Sequence, residues 1–170
     1  MEEKLKKITD VLHQLIGLHR QLLDLIRVER AHLSEANLHD IEKVTQQKHL
    51  LVEEIHRVEV HRMQALAEFA VESKKPIKEL SLSGLILMIQ GEFPQISQQL
   101  SSMKNTLLVL SQRISEHNKE NAALIERSLA NIDAMKTNLF LAEKPHSETY
   151  SQTGQKISSS PVHRILSQEV

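Results

Sequence analysis

The stretch Leu5 to Leu33, LKKITDVLHQLIGLHRQLLDLIRVERAHL, decides the fold. Leu5, Ile8, Leu12, Leu15, Leu22 and Ile26 recur at intervals of three, four and seven, and Val11, Leu18 and Leu25 widen the stripe on one flank. That spacing gathers the aliphatic side chains on one side of an α-helix and leaves the charged ones on the other, so the segment reads as an amphipathic helix with a broad buried face. Gly17 inside it costs up to about 1 kcal/mol against Ala, too little to end so strong a pattern.

The period breaks at Ser34-Glu35-Ala36-Asn37 and resumes at Leu38, and a connection this short turns the next helix back antiparallel to the first, with Asn37 as its N-cap. The second helix reads Ile41, Val44, Lys48, Leu51, Ile55, Val58, Arg62, Leu66 and Phe69, a heptad-like seam with two basic sites. Lys48 and Arg62 can lay their stems over aliphatic neighbours while their charges reach water, which makes them register devices in preference to ligand sites. At about 1.5 Å per residue each arm of the hairpin extends roughly 45 Å.

Pro76 ends that pattern, so residues 73–83 are expected to form a connector to the next helix. Ser81 and Ser83 offer caps for a short helix through Leu85, Leu87, Met88 and Ile89, closed by Gly91 and expected to lid one end of the hairpin. Pro94 suits the first turn of a last helix through Ile96, Leu100, Met103, Leu107, Leu110, Ile114, Leu124, Ile132 and Leu139, roughly 65 Å long. His117 and Asn121 stand in it where apolar residues are expected. Such an interruption either sets register or lies where the helix has outrun its neighbours.

After Phe140 the period is lost. Pro145, a Ser/Thr/Gln-rich run, Gly154, Ser158-Ser159-Ser160 and Pro161 predict a largely disordered tail. The predicted architecture is therefore all-α: an elongated antiparallel hairpin or bundle of three long helices and one short one, a helical rod over residues 1–140, and a flexible tail over 141–170. Within that tail Val162, Ile165 and Leu166 share one face of a turn or two of helix that is unstable alone in water. They read either as a frayed terminus or as a motif that folds against a partner. Tyr150, the chain's one tyrosine, stands among Ser, Gln, Thr and Lys with nothing apolar around it, and is placed either for a partner or to fold back on Leu139 and Phe140.

Composition narrows the function. The 21 basic and 22 acidic residues leave a formal charge of -1, so no basic field gathers nucleic acid or an anionic membrane. The longest apolar run, Leu85 to Ile89, is far short of the roughly 20 residues that cross a bilayer. The N-terminus has no continuous apolar core of a signal peptide, and the absence of cysteine excludes disulfides and thiolate chemistry, which together point to the cytoplasm.

Chemistry is sparse. No Gly-rich phosphate loop, His-Glu-x-x-His motif or strained nucleophile elbow occurs, so the chain is not expected to be an enzyme. Ten histidines invite a metal reading, and Glu29-x-x-His32 and Glu53-x-x-His56 match the spacing of di-iron bundles. That ferritin-like alternative needs four long helices and two further inward glutamates, whereas three long helices are predicted and Glu53 and His56 flank the seam, so neither a metal nor a cofactor is expected.

Three stretches carry a resemblance to a known family. Leu22-Leu23-Asp24-Leu25-Ile26-Arg27-Val28-Glu29-Arg30 through Leu33, a short turn, then Leu38 to Lys48, Leu51, Ile55 and Arg62 resemble the opening hairpin of the FlgN-like flagellar type III export chaperones. Asn118-x-x-Asn121 with Leu124, Ile125, Glu126, Ser128 and Leu129 is similar to a segment late in that family's long helix, and Thr149-Tyr150 with Gly154 is similar to its tail signature. The turn departs from the family, with Ala36-Asn37 where an acidic glycine-rich turn is usual.

The resemblance implies a cytoplasmic chaperone, a monomer or homodimer, that keeps hook-associated (hook-filament junction) subunits unassembled and brings them to the flagellar export apparatus, with no cofactor. On that reading Asn118, Asn121, Ile125, Val162, Ile165 and Leu166 bind cargo and Tyr150 docks on the export apparatus. The rival class is a structural coiled-coil oligomer or tether, which would bury its whole seam permanently.

Overall fold

A computed structural model of the chain describes residues 1–74 and 81–142. It contains four helices in chain order: α1 (Glu2–Glu35), α2 (Leu38–Glu72), α3 (Leu82–Ile89) and α4 (Pro94–Ala142). The all-α class and the order of three long helices and one short one agree with the spacing, and no strand occurs among the described residues. The chain falls into two compact units, residues 1–127 and 128–170.

In the first unit α1 and α2 form an antiparallel hairpin. Met1 and Lys4 pair with Glu72, Lys7 with Glu68, and Glu29 with Lys48, so positions rise on one helix as they fall on the other. Local chemistry sets the turn. Ala36 closes α1 in the left-handed region, φ 54° and ψ 33°, where its N–H donates to Leu33 O and that of Asn37 donates to His32 O. Asn37 then caps α2: its side chain accepts from the Asp40 N–H and donates back to the Asp40 carboxylate at 2.6 Å.

The hydrophobic core joins Leu5, Ile8, Leu12 and Leu15 of α1 to Val58, Ala65, Leu66 and Phe69 of α2, with Leu85 and Ile89 of α3 and Leu100, Met103 and Leu110 of α4. Phe69 is its largest fully buried side chain. Ser81 caps α3 by accepting from the Gly84 N–H at 3.0 Å, and Pro94 opens α4. The two helices are tied by the Ser97 hydroxyl, which donates to Ile86 O at 3.0 Å. Ile96 and Gln99 line a cleft with Thr9 and His13, while Asn121 meets Ile26 and Glu29, so this part of α4 runs parallel to α1.

Two seam readings are corrected. Leu51 and Ile55 are half-buried where the heptad count places them in the core, and Ile55 borders a groove open to solvent. Arg62 pairs with Glu59 one turn back on its own helix at 2.7 Å and does not tie α2 to α1; Lys48, the other basic seam site, does reach across.

The described residues of the second unit are 128–142, the end of α4. Leu129, Ile132, Met135 and Leu139 are between 48 and 65% exposed. Ile132 and Leu139 thus lie on the surface and not in a buried seam. Among the described residues, no helix is long and apolar enough to cross a membrane.

Candidate functional site

Two features of α4 stand out. The first is a polar tie in the first unit. Asn121 is 3% exposed, and its amide donates to Ile26 O and to Glu29 Oε2, both at 3.0 Å. Lys48 Nζ donates to the same carboxylate oxygen at 2.6 Å. One buried carboxylate of α1 therefore holds a lysine of α2 and an amide of α4. Beside it Arg30 pairs with Glu120, which also accepts from His117 at 3.2 Å when Nδ1 carries the proton. The His117 hydrogen bond and the Arg30 guanidinium hold the Glu120 carboxyl below its usual range.

Asn121, a cargo contact on the sequence reading, is thus enclosed against α1. Its amide nitrogen is committed to two acceptors of α1, and of the two readings of the polar interruption the register role is the one this geometry supports. Glu29 entered the sequence reading only through its spacing to His32, and its burial was missed because it sits in the charged string Arg27-Val28-Glu29-Arg30; the signal available was its interval of three from Ile26. Its carboxylate is neutralised by Lys48, and Glu53 pairs with His49 on an exposed face at 3.3 Å. Among the described residues no three His, Asp or Glu side chains gather as metal ligands.

The second feature is apolar surface. Within the first unit α4 and α2 flank an open groove lined by Leu22, Val52, Ile55, Ile114 and Ala122, with Asn118 and His19 among its polar residues. Asn118 is exposed in that wall, and Ile125 is 42% exposed. Within the second unit Leu129, Ile132, Met135 and Leu139 repeat at intervals of three and four, the spacing of one helix face. Such a face can take an amphipathic helix by apolar burial and has no chemistry for catalysis. Tyr150, Val162, Ile165 and Leu166 lie outside the described residues.

The elements define a class: an all-α protein of three long helices and one short one that exposes apolar helix surface on α4. The chain belongs to the FlgN family, whose model, described as FlgN protein, matches residues 1–157. FlgN is a family of flagellar export chaperones. No curated protein and no solved structure matches the chain.

Proposed function

We propose that this chain is a cytoplasmic export chaperone that binds hook-filament junction subunits, keeps them unassembled and delivers them to the flagellar type III export apparatus. The observation that carries the cargo site is the exposed apolar face of α4: Leu129, Ile132, Met135 and Leu139, four large side chains at helical spacing and about half or more in water. Surface aliphatics scattered singly need no explanation, but a periodic stripe is what an amphipathic helix of a subunit would cover. In the first unit Ile125 and Asn118 are separate proposed cargo contacts, and Val162, Ile165 and Leu166 are proposed to supply a further apolar segment. Tyr150 serves docking on the export apparatus, since one rigid aromatic with a hydroxyl gives a weak, reversible anchor.

The test is calorimetric titration of purified junction subunits into the chaperone and its Leu129→Asp variant. Affinity is expected to fall at least about tenfold, or about 1.4 kcal/mol, with helicity by circular dichroism unchanged. Undiminished binding would remove the stripe from the cargo surface. For Tyr150→Ala the expected result is reduced export of junction proteins with unchanged cargo affinity.

A further inference from the structure

The stretch Ser128 to Leu139 has the a and d spacing of a coiled coil on exposed surface. Ile132 and Leu139 fall on one set of sites and Ser128 and Met135 on the other. Leu129 and Lys136 border these sites on one flank, and Asn131 and Asn138 border them on the other. We propose that this stretch pairs antiparallel with the same stretch of a second copy of the chain, about a twofold axis passing between Asp133 and Ala134.

Antiparallel pairing sets an a site against a d site, and about this axis the pattern is complementary to itself. Ile132 meets the partner's Met135, and Leu139 meets the partner's Ser128, each twice. Lys136 lies across the partner's Leu129, stem on leucine, with its ammonium in reach of the partner's Asp133. In the single chain that ammonium is 4.0 Å from its own Asp133, and both groups are well exposed. Asn131 faces the partner's Asn138, so each amide has a donor and an acceptor opposite. Parallel pairing would set Lys136 against the partner's Asn131 and lose the charge pair. Charge therefore selects the antiparallel form.

Area sets the strength. Four half-exposed aliphatic side chains, at about 100 Å² each, give roughly 800–1,000 Å² over both copies, below the 1,200–2,000 Å² of standard stable interfaces. The dimer is consequently weak and reversible, with a dissociation constant on the order of micromolar. If subunits use the same side chains, pairing and loading exclude each other; that consequence rests on the proposed function, whereas the pairing does not.

Because the chain has no cysteine, cross-linking reads the geometry cleanly. Asn131→Cys and Asn138→Cys chains are purified separately, mixed without any flagellar subunit and treated with a short bismaleimide. The mixed pair is expected to cross-link about tenfold faster than either chain with itself. Like linking to like faster would mean parallel pairing and overturn the proposal. Sedimentation equilibrium is expected to show a monomer–dimer transition that Lys136→Asp weakens and Lys136→Asp with Asp133→Lys restores. A monomer at every concentration up to about 500 µM, with the stripe bare or covered by the chain's own tail, also overturns it. Loss of subunit binding with the dimer intact would refute the proposed cargo site alone.

Discussion

Two stretches of α4 carry similar aliphatic spacing and meet opposite environments. From Ser97 to Asn121 the helix buries Leu100, Met103 and Leu110 and ends its packing on a polar tie; from Leu129 to Leu139 its aliphatic side chains stand in water. Hydrophobic spacing therefore identifies a face without saying what covers it. What separates the two stretches is polar chemistry, because Asn121 and Ser97 each place a hydrogen bond that only one register satisfies.

The sharpest way to break that comparison is to truncate one side chain on each side of it. Phe69→Ala, in the core that the packed stretch covers, is expected to cost about 3–5 kcal/mol, whereas Ile132→Ala should stay within about 0.5 kcal/mol. Urea denaturation measures both, and a comparable loss in Ile132→Ala would mean that the outer stretch is buried in solution. Next comes the tie itself. Glu29→Ala leaves Lys48 and the Asn121 amide without their shared acceptor and is expected to cost about 2–4 kcal/mol, while Asn121→Ala is expected to cost about 1–3 kcal/mol. Equal stability of both variants to the parent would show that register is set by packing alone.

A smaller pair of effects concerns backbone. Gly17 sits in a helix interior where a Cβ would meet nothing within 4 Å, and Ala36 sits at φ 54°, a conformation glycine adopts freely. The two residues suit each other's positions. Gly17→Ala and Ala36→Gly are each expected to raise stability by about 0.5–1 kcal/mol, read as a higher thermal midpoint.

The smallest effects are in pH. Hydrogen bonds from the N-terminal ammonium and Lys4 lower the Glu72 carboxyl, that from Lys7 lowers Glu68, and those from His117 and Arg30 lower Glu120, all from an ordinary value of 4.5. Lowered in the folded state, these groups lend stability that is full above about pH 4.5 and is lost as pH falls through their folded values. The thermal midpoint is expected to drop on acidification below that point, and to drop less in Glu72→Gln and Glu120→Gln. A midpoint that rises there would reverse the sign of the argument.

Much of the fold was legible because its signals are local. Asn37, Ser81 and Pro94 mark helix starts through bonds made within a turn, and three-and-four spacing needs no knowledge of neighbours. Lys48 was legible as a register residue because a charge on an apolar seam has few other uses. Asn121 was legible only as a polar interruption with two readings, and the burial of Asn121 and Glu29 was not legible, since it depends on residues 92 positions apart in sequence meeting in space. Ile55 was overread for the same reason: the heptad count gives the face, and the position of α4 decides how much of it is covered.

The shared carboxylate of Glu29 also orders events in time. Its bond to Lys48 spans 19 residues and closes within the hairpin, whereas the Asn121 bonds span 92 and 95. Long loops are entropically late, and Asn121 has no acceptor pair until α1 is helical and Lys48 has fixed the carboxylate. The hairpin is then expected to form first and α4 to seat last, so in stopped-flow kinetics changes at Asn121 are expected to quicken unfolding with the folding rate unchanged, and changes in the hairpin core to slow folding.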